Sequence, residues 1–287
     1  MPVSVLTLVR GRKQHLANLM LSLARQTLLP DELVIAWMQP EAFEDLPVLP
    51  FPVRHVFVEG EELPLAKARN AAALAAMGDC LVFLDVDCIA SNLMVASYAQ
   101  AATARDGIFL SEVFYLPADM PPFTGNCAVL DEIGRPHVSK PKFPDDGIEE
   151  EPDGGQLWGL SFALRKETWH RIGGMDERFF GYGGEETDFA ANAAGVGVRT
   201  YRVGQARVYH QHHPVSIPPL HHFASILRNA QQFRHKHGRW CMDYWLGQFR
   251  DSGLIRWDPA NDALEILRHP EPAEIEAAQQ PGNVIYS

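Results

Sequence analysis

Leu81-Val82-Phe83-Leu84-Asp85-Val86-Asp87-Cys88 is an apolar run that ends in two carboxylates separated by one valine. Residues two apart on an extended chain point the same way, so Asp85 and Asp87 can offer their oxygens to one ion or ligand at a strand's end. Alone, such a pair is often only a solvated turn, because short motifs match by chance. Its context raises it: Gly78-Asp79 precedes the strand, and before that runs an Ala-rich helix carrying Lys67, Arg69 and Asn70. In an open α/β sheet, ligands bind outside the carboxyl ends of the strands.

Outward from this stretch toward the N-terminus, residues 65–77 read as that helix, and 33–38 and 53–58 as two strands joined across a Pro-rich connection. Residues 3–9 are β-branched and apolar and break at Arg10-Gly11-Arg12, as a buried strand does on entering a loop. Leu16, Leu19, Met20 and Leu23 then fall at helical spacing, and Pro30-Asp31 marks the stop. Strands alternating with helices predict an α/β fold, a mostly parallel central sheet with helices on both faces.

Toward the C-terminus, 93–104 predicts a helix and 108–116 a strand. Residues 117–156 are rich in Pro, Gly and Asp with little periodicity; a connection of that kind is usually functional or mobile, so it reads as a substrate-covering or acceptor-side loop. Trp158-Gly159-Leu160-Ser161 follows, then a short helix over 166–172 and the glycine-rich Gly173-Gly174-Met175-Asp176. Gly181-Tyr182-Gly183-Gly184-Glu185-Glu186-Thr187-Asp188 opens a helix to about residue 194, where the helix dipole alone would also favour carboxylates. A late strand is expected over 196–203, with Tyr209-His210-Gln211-His212-His213 after it. Phe223, Ile226, Leu227 and Ala230 are helically spaced ahead of Trp240, Tyr244 and Trp245; closing the acceptor site, packing as a tail helix and making a dimer contact all stay open. Residues 270–287 are polar and Pro-punctuated, and are expected to be poorly ordered.

The 287 residues are 46% hydrophobic and 21% charged, which predicts a folded chain with a sizeable core. A formal net charge of −11 argues against broad nucleic-acid binding, which needs clustered Lys and Arg. Cys80, Cys88, Cys127 and Cys241 show no metal or disulfide spacing and read as free thiols in a reducing compartment. With no signal-like N-terminus and no apolar run of spanning length, a cytoplasmic location is the expectation. Peripheral membrane association and a homodimer stay open.

The order of these motifs resembles the nucleotide-sugar-dependent glycosyltransferases of the GT-A fold. The resemblance covers roughly residues 1–215, leaving 216–287 as a C-terminal helical extension packing on the same domain, its tail partly disordered. Thr7-Leu8-Val9-Arg10-Gly11-Arg12 and the helix with Gln26-Thr27 and Pro30 look like the start of the bacterial family-two enzymes. Ala68-Arg69-Asn70 followed by Asp85-Val86-Asp87 looks like their donor-site helix and metal-binding Asp-x-Asp. The segment from Trp158 to Asp188 is similar to the β-1,4-galactosyltransferases and chondroitin-polymerase-type domains.

The resemblance implies a metal-dependent inverting transferase that moves a sugar from a nucleoside-diphosphate sugar, a UDP-sugar first, to a glycan or small-molecule hydroxyl. A divalent cation there acts as Lewis acid for the departing diphosphate, and an imidazole among its ligands tilts the choice to Mn²⁺ over Mg²⁺. The resemblance implies Asp87 and His210 as metal ligands, with Asp85 nearer the ribose or reaching the metal through water; His212 or His213 are alternatives to His210. It implies Glu186 as the base that takes the acceptor's proton. On the donor side stand Thr7, Arg10, Arg69, Asp85, Trp158 and Gly159, and on the substrate side Glu185, Tyr182, Gly183 and Asp188, the last supporting the loop. Trp158 and Tyr182 could offer aromatic faces to a sugar ring. Two other classes compete: a non-catalytic nucleotide-sugar or glycan-binding protein on this fold, and a nucleotidyltransferase. The latter would prefer a Gly-rich phosphate loop with a lysine after the first strand, of which Arg10-Gly11-Arg12-Lys13 is a poor version.

Overall fold

The structure is a computed structural model and describes residues 1–60, 62–282 and 284. The chain begins with β1 (Val3–Val9), every residue of which is buried. Its alternation splits the core: Val5 and Val9 face one side of the sheet, Leu6 and Leu8 the other. α1 (Lys13–Leu23) lays Leu16, Leu19, Met20 and Leu23 on the first side. β2 (Glu32–Trp37), β3 (Val53–Phe57), α2 (Leu65–Ala75) and β4 (Cys80–Leu84) follow, with the Ala68 and Ala72 face of α2 closing the second side. β5 (Cys88–Ala90) and α3 (Met94–Ala104) come next, then β6 (Ile108–Tyr115).

The stretch 117–156 is more structured than its composition predicts. It holds α4 (Cys127–Ile133), capped by the Asn126 side chain on Ala128 N, then β7 (Arg135–Pro136) and β8 (Ile148–Glu151). The two strands are short edge pieces, one on β6 and one on β10, so tertiary pairing rather than periodicity makes them. β9 (Ser161–Arg165), α5 (Lys166–Ile172) and α6 (Glu185–Gly195) continue the chain. The late strand β10 (Thr200–His210) starts later and runs further than the 196–203 expected, because its pairing to β6 resumes after a shift between Arg202 and Arg207, with Gln205 left-handed between them. After it come α7 (Phe223–His237), α8 (Asp243–Asp251), the hairpin β11 (Ile255–Asp258) and β12 (Ala263–Ile266), and α9 (Pro272–Ala277). The tail is thus ordered at least through α9, which carries a capping box between Glu271 and Glu274; part of the expected disorder, residues 283 and 285–287, falls outside the described residues.

The main sheet runs β3-β2-β1-β4-β9-β6-β10-β5. β1 to β4 are parallel, β6 is parallel to β10, and β9 runs against both of its neighbours. Phe162 of β9 stacks on Phe83 of β4 at 4.6 Å, and Trp169 of α5 on Phe83 at 4.8 Å. Burying such rings stabilises by about 2 kcal/mol each and welds the reversed strand into the centre. The C-terminal helices keep a cluster of their own, including Phe223, Ile226, Leu227, Leu246 and Phe249. The four cysteines are free and buried. Among the described residues no helix is long and apolar enough to cross a membrane.

Candidate active site

Strand direction assembles the site. Because β9 is reversed, its incoming segment lies at the outgoing end of β4, and Asp85 N donates to Leu160 O at 2.9 Å. Because β5 pairs antiparallel with the end of β10, His210 stands opposite Cys88, and Gln211 N donates to Asp87 O at 2.7 Å. Residues remote in sequence therefore meet at one edge of the sheet.

Asp87 is buried and forms an ion pair with the Arg12 guanidinium. His210 Nε2 lies 3.7 Å from its Oδ1 and His213 Nε2 3.6 Å from its Oδ2. The ligating atoms of Asp87, His210 and His213 all lie within 4.8 Å of one another, a spacing one cation can bridge. Burial lowers His210 to about 4 against the pull of Asp87, so its ring is neutral at pH 7 and keeps a lone pair for a metal. Burial would raise Asp87, but His210, Arg12 and His213 outweigh it and hold the carboxyl below its usual range. α1 pins the histidine segment: Asn18 donates to Gln211 Oε1 at 2.7 Å, and Gln211 Nε2 donates to His15 O at 3.2 Å. His212 turns to α1 through its carbonyl, 3.2 Å from His15 Nε2, and stands outside the ligand cluster.

The second cluster centres on Arg69, only 2% exposed on α2. Its Nη1 meets Glu185 Oε1 at 3.2 Å, and its Nη2 meets Glu186 Oε1 at 3.0 Å and Asp85 Oδ1 at 3.5 Å. One guanidinium thus ties β4's end to the first turn of α6. Burial, then Glu186, pushes Glu185 up to about 8, with Arg69 pulling the other way. Burial also pushes Asp85 up to about 7, with Asp87 and Glu186 adding to it and Arg69 opposing. Gly159, left-handed at φ 70°, lies against this cluster: a Cβ there would sit 2.0 Å from Glu186 Oε1. Tyr182 faces the same carboxylates, and burial together with Glu186, Glu185, Asp87 and Asp85 raises its phenol. Its ring stacks on His222 at 4.3 Å and leans on Trp245 at 5.5 Å.

Several expected site residues are placed differently from their motif reading. Thr7 is fully buried within β1, on the side its alternation shares with Val5 and Val9, and its hydroxyl has no partner among the described residues. Arg10 bonds the carbonyls of Met38 at 2.8 Å and Gly60 at 3.0 Å, bracing the ends of β2 and β3. Arg69, expected on the nucleotide side, lies beneath three carboxylates. Trp158 has Lys140 Nζ over its ring at 3.5 Å and His137 against it at 4.8 Å, so neighbouring side chains already pack on the ring proposed for a sugar. Gly183 turns its side-chain direction onto Met242 and Trp245. Asp188, read as supporting the loop, has no exposure and is held by His237 Nε2 at 2.7 Å and Lys236 Nζ at 2.8 Å, joining α6 to α7. Arg12, on the Asp87 carboxylate, and the pairing of His213 with His210 were not singled out from sequence. The signals were present: Arg12 follows β1's carboxyl end by three residues, and His210-x-x-His213 is a metal-ligand spacing.

Comparison with known proteins bears on the fold and on one segment of the chain. Residues 150–214 match a family described as the N-terminal domain of galactosyltransferase, the segment from β8 to just past His213. Among solved structures, S. aureus TarS 1-349 is similar with a TM-score of 0.55 and 14% identity, over 82% of this chain and 66% of that one. GalNAc-T7, solved with UDP, GalNAc and Mn²⁺, is similar with a TM-score of 0.58 and 15% identity, over 88% of this chain and 57% of that one. TarS 1-349 has also been solved with UDP-GlcNAc, at a TM-score of 0.53. This chain spans less than two thirds of the first two of those chains. No curated protein matches it in sequence. The fold is that of the GT-A glycosyltransferases. Within it, the segment that carries the base candidates and the two histidines is galactosyltransferase-like.

Proposed function

We propose that the chain is a metal-dependent, inverting glycosyltransferase that moves a sugar from a nucleoside-diphosphate sugar, a UDP-sugar in our reading, to a hydroxyl of a glycan or small molecule. Residues 1–215 form the catalytic domain in this reading and 216–287 an extension packed on it. The observation that carries it is the juxtaposition, at one sheet edge, of a carboxylate with two imidazoles and of Glu186 on Arg69. The donor set fits a divalent cation. Asp87, His210 and His213 would hold it, and two imidazoles favour Mn²⁺ over Mg²⁺, which prefers oxygen and keeps its waters. Bound there, the cation would stabilise charge gathering on the leaving diphosphate.

The protein's own groups do the rest. Glu186 Oε1 is fixed by Arg69 at 3.0 Å, which leaves the other oxygen to accept the proton of an incoming hydroxyl. Glu185 lies buried beside Glu186 on the same guanidinium, its carboxyl raised by burial and by Glu186, and in this reading it backs the sugar side of the site. Arg12 stands beside Asp87, where a second positive charge would meet the diphosphate. Attack from the face opposite the diphosphate inverts the anomeric centre. The four unpaired cysteines support a cytoplasmic setting.

The test compares wild type with Glu186→Gln. Turnover of a UDP-sugar should be lost while UDP with Mn²⁺ still raises the melting temperature. Full turnover by the variant sinks the base assignment. If no nucleotide shifts the wild type with any metal, the glycan-binding reading takes over.

A further inference from the structure

The loop that delivers Glu185 and Glu186 does not hold itself. Phe180-Gly181-Tyr182-Gly183-Gly184 has left-handed backbone at all three glycines, with φ of 78°, 87° and 93°. The side-chain directions of these glycines run into the C-terminal helices: a Cβ on Gly181 would meet Ser225 Cβ at 2.4 Å, one on Gly183 would meet Met242 Sδ at 2.7 Å, and one on Gly184 would lie 3.4 Å from Asn229 Cβ. Gly181 and Gly183 are therefore demanded by α7 and the start of α8 lying against the loop, and Gly184 by its left-handed backbone.

α7 meets that loop with polar groups spaced along one face. Ser225 Oγ accepts from Tyr182 N at 3.2 Å. Asn229, fully buried, donates its amide to Gly183 O at 2.7 Å and Phe180 O at 3.1 Å, while its own Oδ1 has no partner. Arg228 donates to Phe180 O at 2.6 Å and packs over the Phe180 ring at 3.6 Å. Lys236 spans Asp176 Oδ2 at 3.0 Å and Asp188 Oδ1 at 2.8 Å, the two flanks of the segment. Backbone carbonyls held by buried donors and flanks joined by one ammonium leave the loop little freedom.

We propose that α7 sets the position of the catalytic loop, with Asn229 and Lys236 as positioning residues for Glu186. This rests on reading Glu186 as the base. The residues act on geometry only: neither touches the Asp87, His210 and His213 cluster, so cation and nucleotide binding stay independent of them.

The test uses the full chain as wild type, Asn229→Ala, Lys236→Met and Lys236→Arg. Hydrogen exchange of peptides across 177–187 should quicken about tenfold in Asn229→Ala, from the loss of two buried hydrogen bonds. Exchange in β1, β4 and β10 and the stabilisation by UDP with Mn²⁺ should not change. Turnover of a UDP-sugar should fall about 10- to 100-fold in kcat with donor KM within about twofold. Lys236→Met should behave likewise, and Lys236→Arg should recover most of the rate. Unchanged exchange across 177–187 overturns the proposal, as does a loss of UDP binding and whole-chain protection in step with the rate. If wild type turns over no UDP-sugar, or Glu186→Gln turns over fully, the base reading fails. The exchange result then still decides the matter for α7: quickening confined to 177–187 upholds it.

Discussion

Gly159→Ala is the sharpest probe of the site, because the structure fixes what one methyl group would do. The Cβ would stand 2.0 Å from Glu186 Oε1 and 2.9 Å from Arg69 Nη2, where ordinary contact begins at 3.4 Å. The carboxylate must retreat by 3.4 − 2.0 = 1.4 Å, which breaks its 3.0 Å contact with Arg69. A misplacement of about 1 Å at a reacting group can cost roughly 100-fold in rate. The left-handed backbone adds about 1–2 kcal/mol for an alanine, so the melting temperature should fall by roughly 2–6 °C. The assay is UDP release from a UDP-sugar with Mn²⁺, beside thermal unfolding with and without UDP. Expected are kcat down about 100-fold, a modestly lower melting temperature and a retained UDP shift. Wild-type turnover and melting would refute the reasoning. Loss of the UDP shift would return Gly159 to the donor site.

Glu185→Gln should stabilise the protein, and more so at higher pH. The native carboxyl is raised from 4.5 to about 8, so its favourable contribution is full below about pH 4.5 and is lost as pH rises toward 8; the variant's advantage should grow over that window to on the order of 2 kcal/mol, read from urea unfolding at pH 5 and pH 8. Asp87→Ala should abolish Mn²⁺ binding and His213→Ala weaken it at least tenfold by titration calorimetry; an unchanged His213→Ala affinity excludes that imidazole from the site. Asp188→Ala should cost about 2–3 kcal/mol, since it leaves His237 without its carboxylate and Lys236 with Asp176 alone; a melting temperature within about 1–2 °C of wild type would show the network to be dispensable.

The fold was legible because the first half obeys simple periodicities. Residues 3–9, 33–38 and 81–84 are apolar runs bounded by polar or turn residues, and each is a strand at or within one residue of those bounds. The site was legible where strand ends carry charge: Asp85 and Asp87 sit where a parallel sheet puts ligands, and His210 ends β10. What stayed hidden depends on contacts between distant segments. Thr7 lies in a motif-like opening, yet strand alternation turns it to the interior with Val5 and Val9. Asp188 reads as first-turn capping, and only the arrival of Lys236 and His237 makes it a buried joint. Arg12 gains its meaning from a carboxylate 75 residues away. Strands β7 and β8 lack periodicity because each is short and borrows its pairing from a longer neighbour.

The reversed strand β9 makes the candidate active site indivisible. It is hydrogen-bonded to β4 on one side and β6 on the other, and its entry segment brings Gly159 to the proposed base. The elements that hold the nucleotide in our reading come before it, and those that carry the base and the histidines come after. A cut between those two groups of residues would run through the middle of the sheet and leave each fragment with an open, apolar strand edge. Splicing one half of such a chain onto another would therefore have to rebuild the pairing of β9 with both β4 and β6.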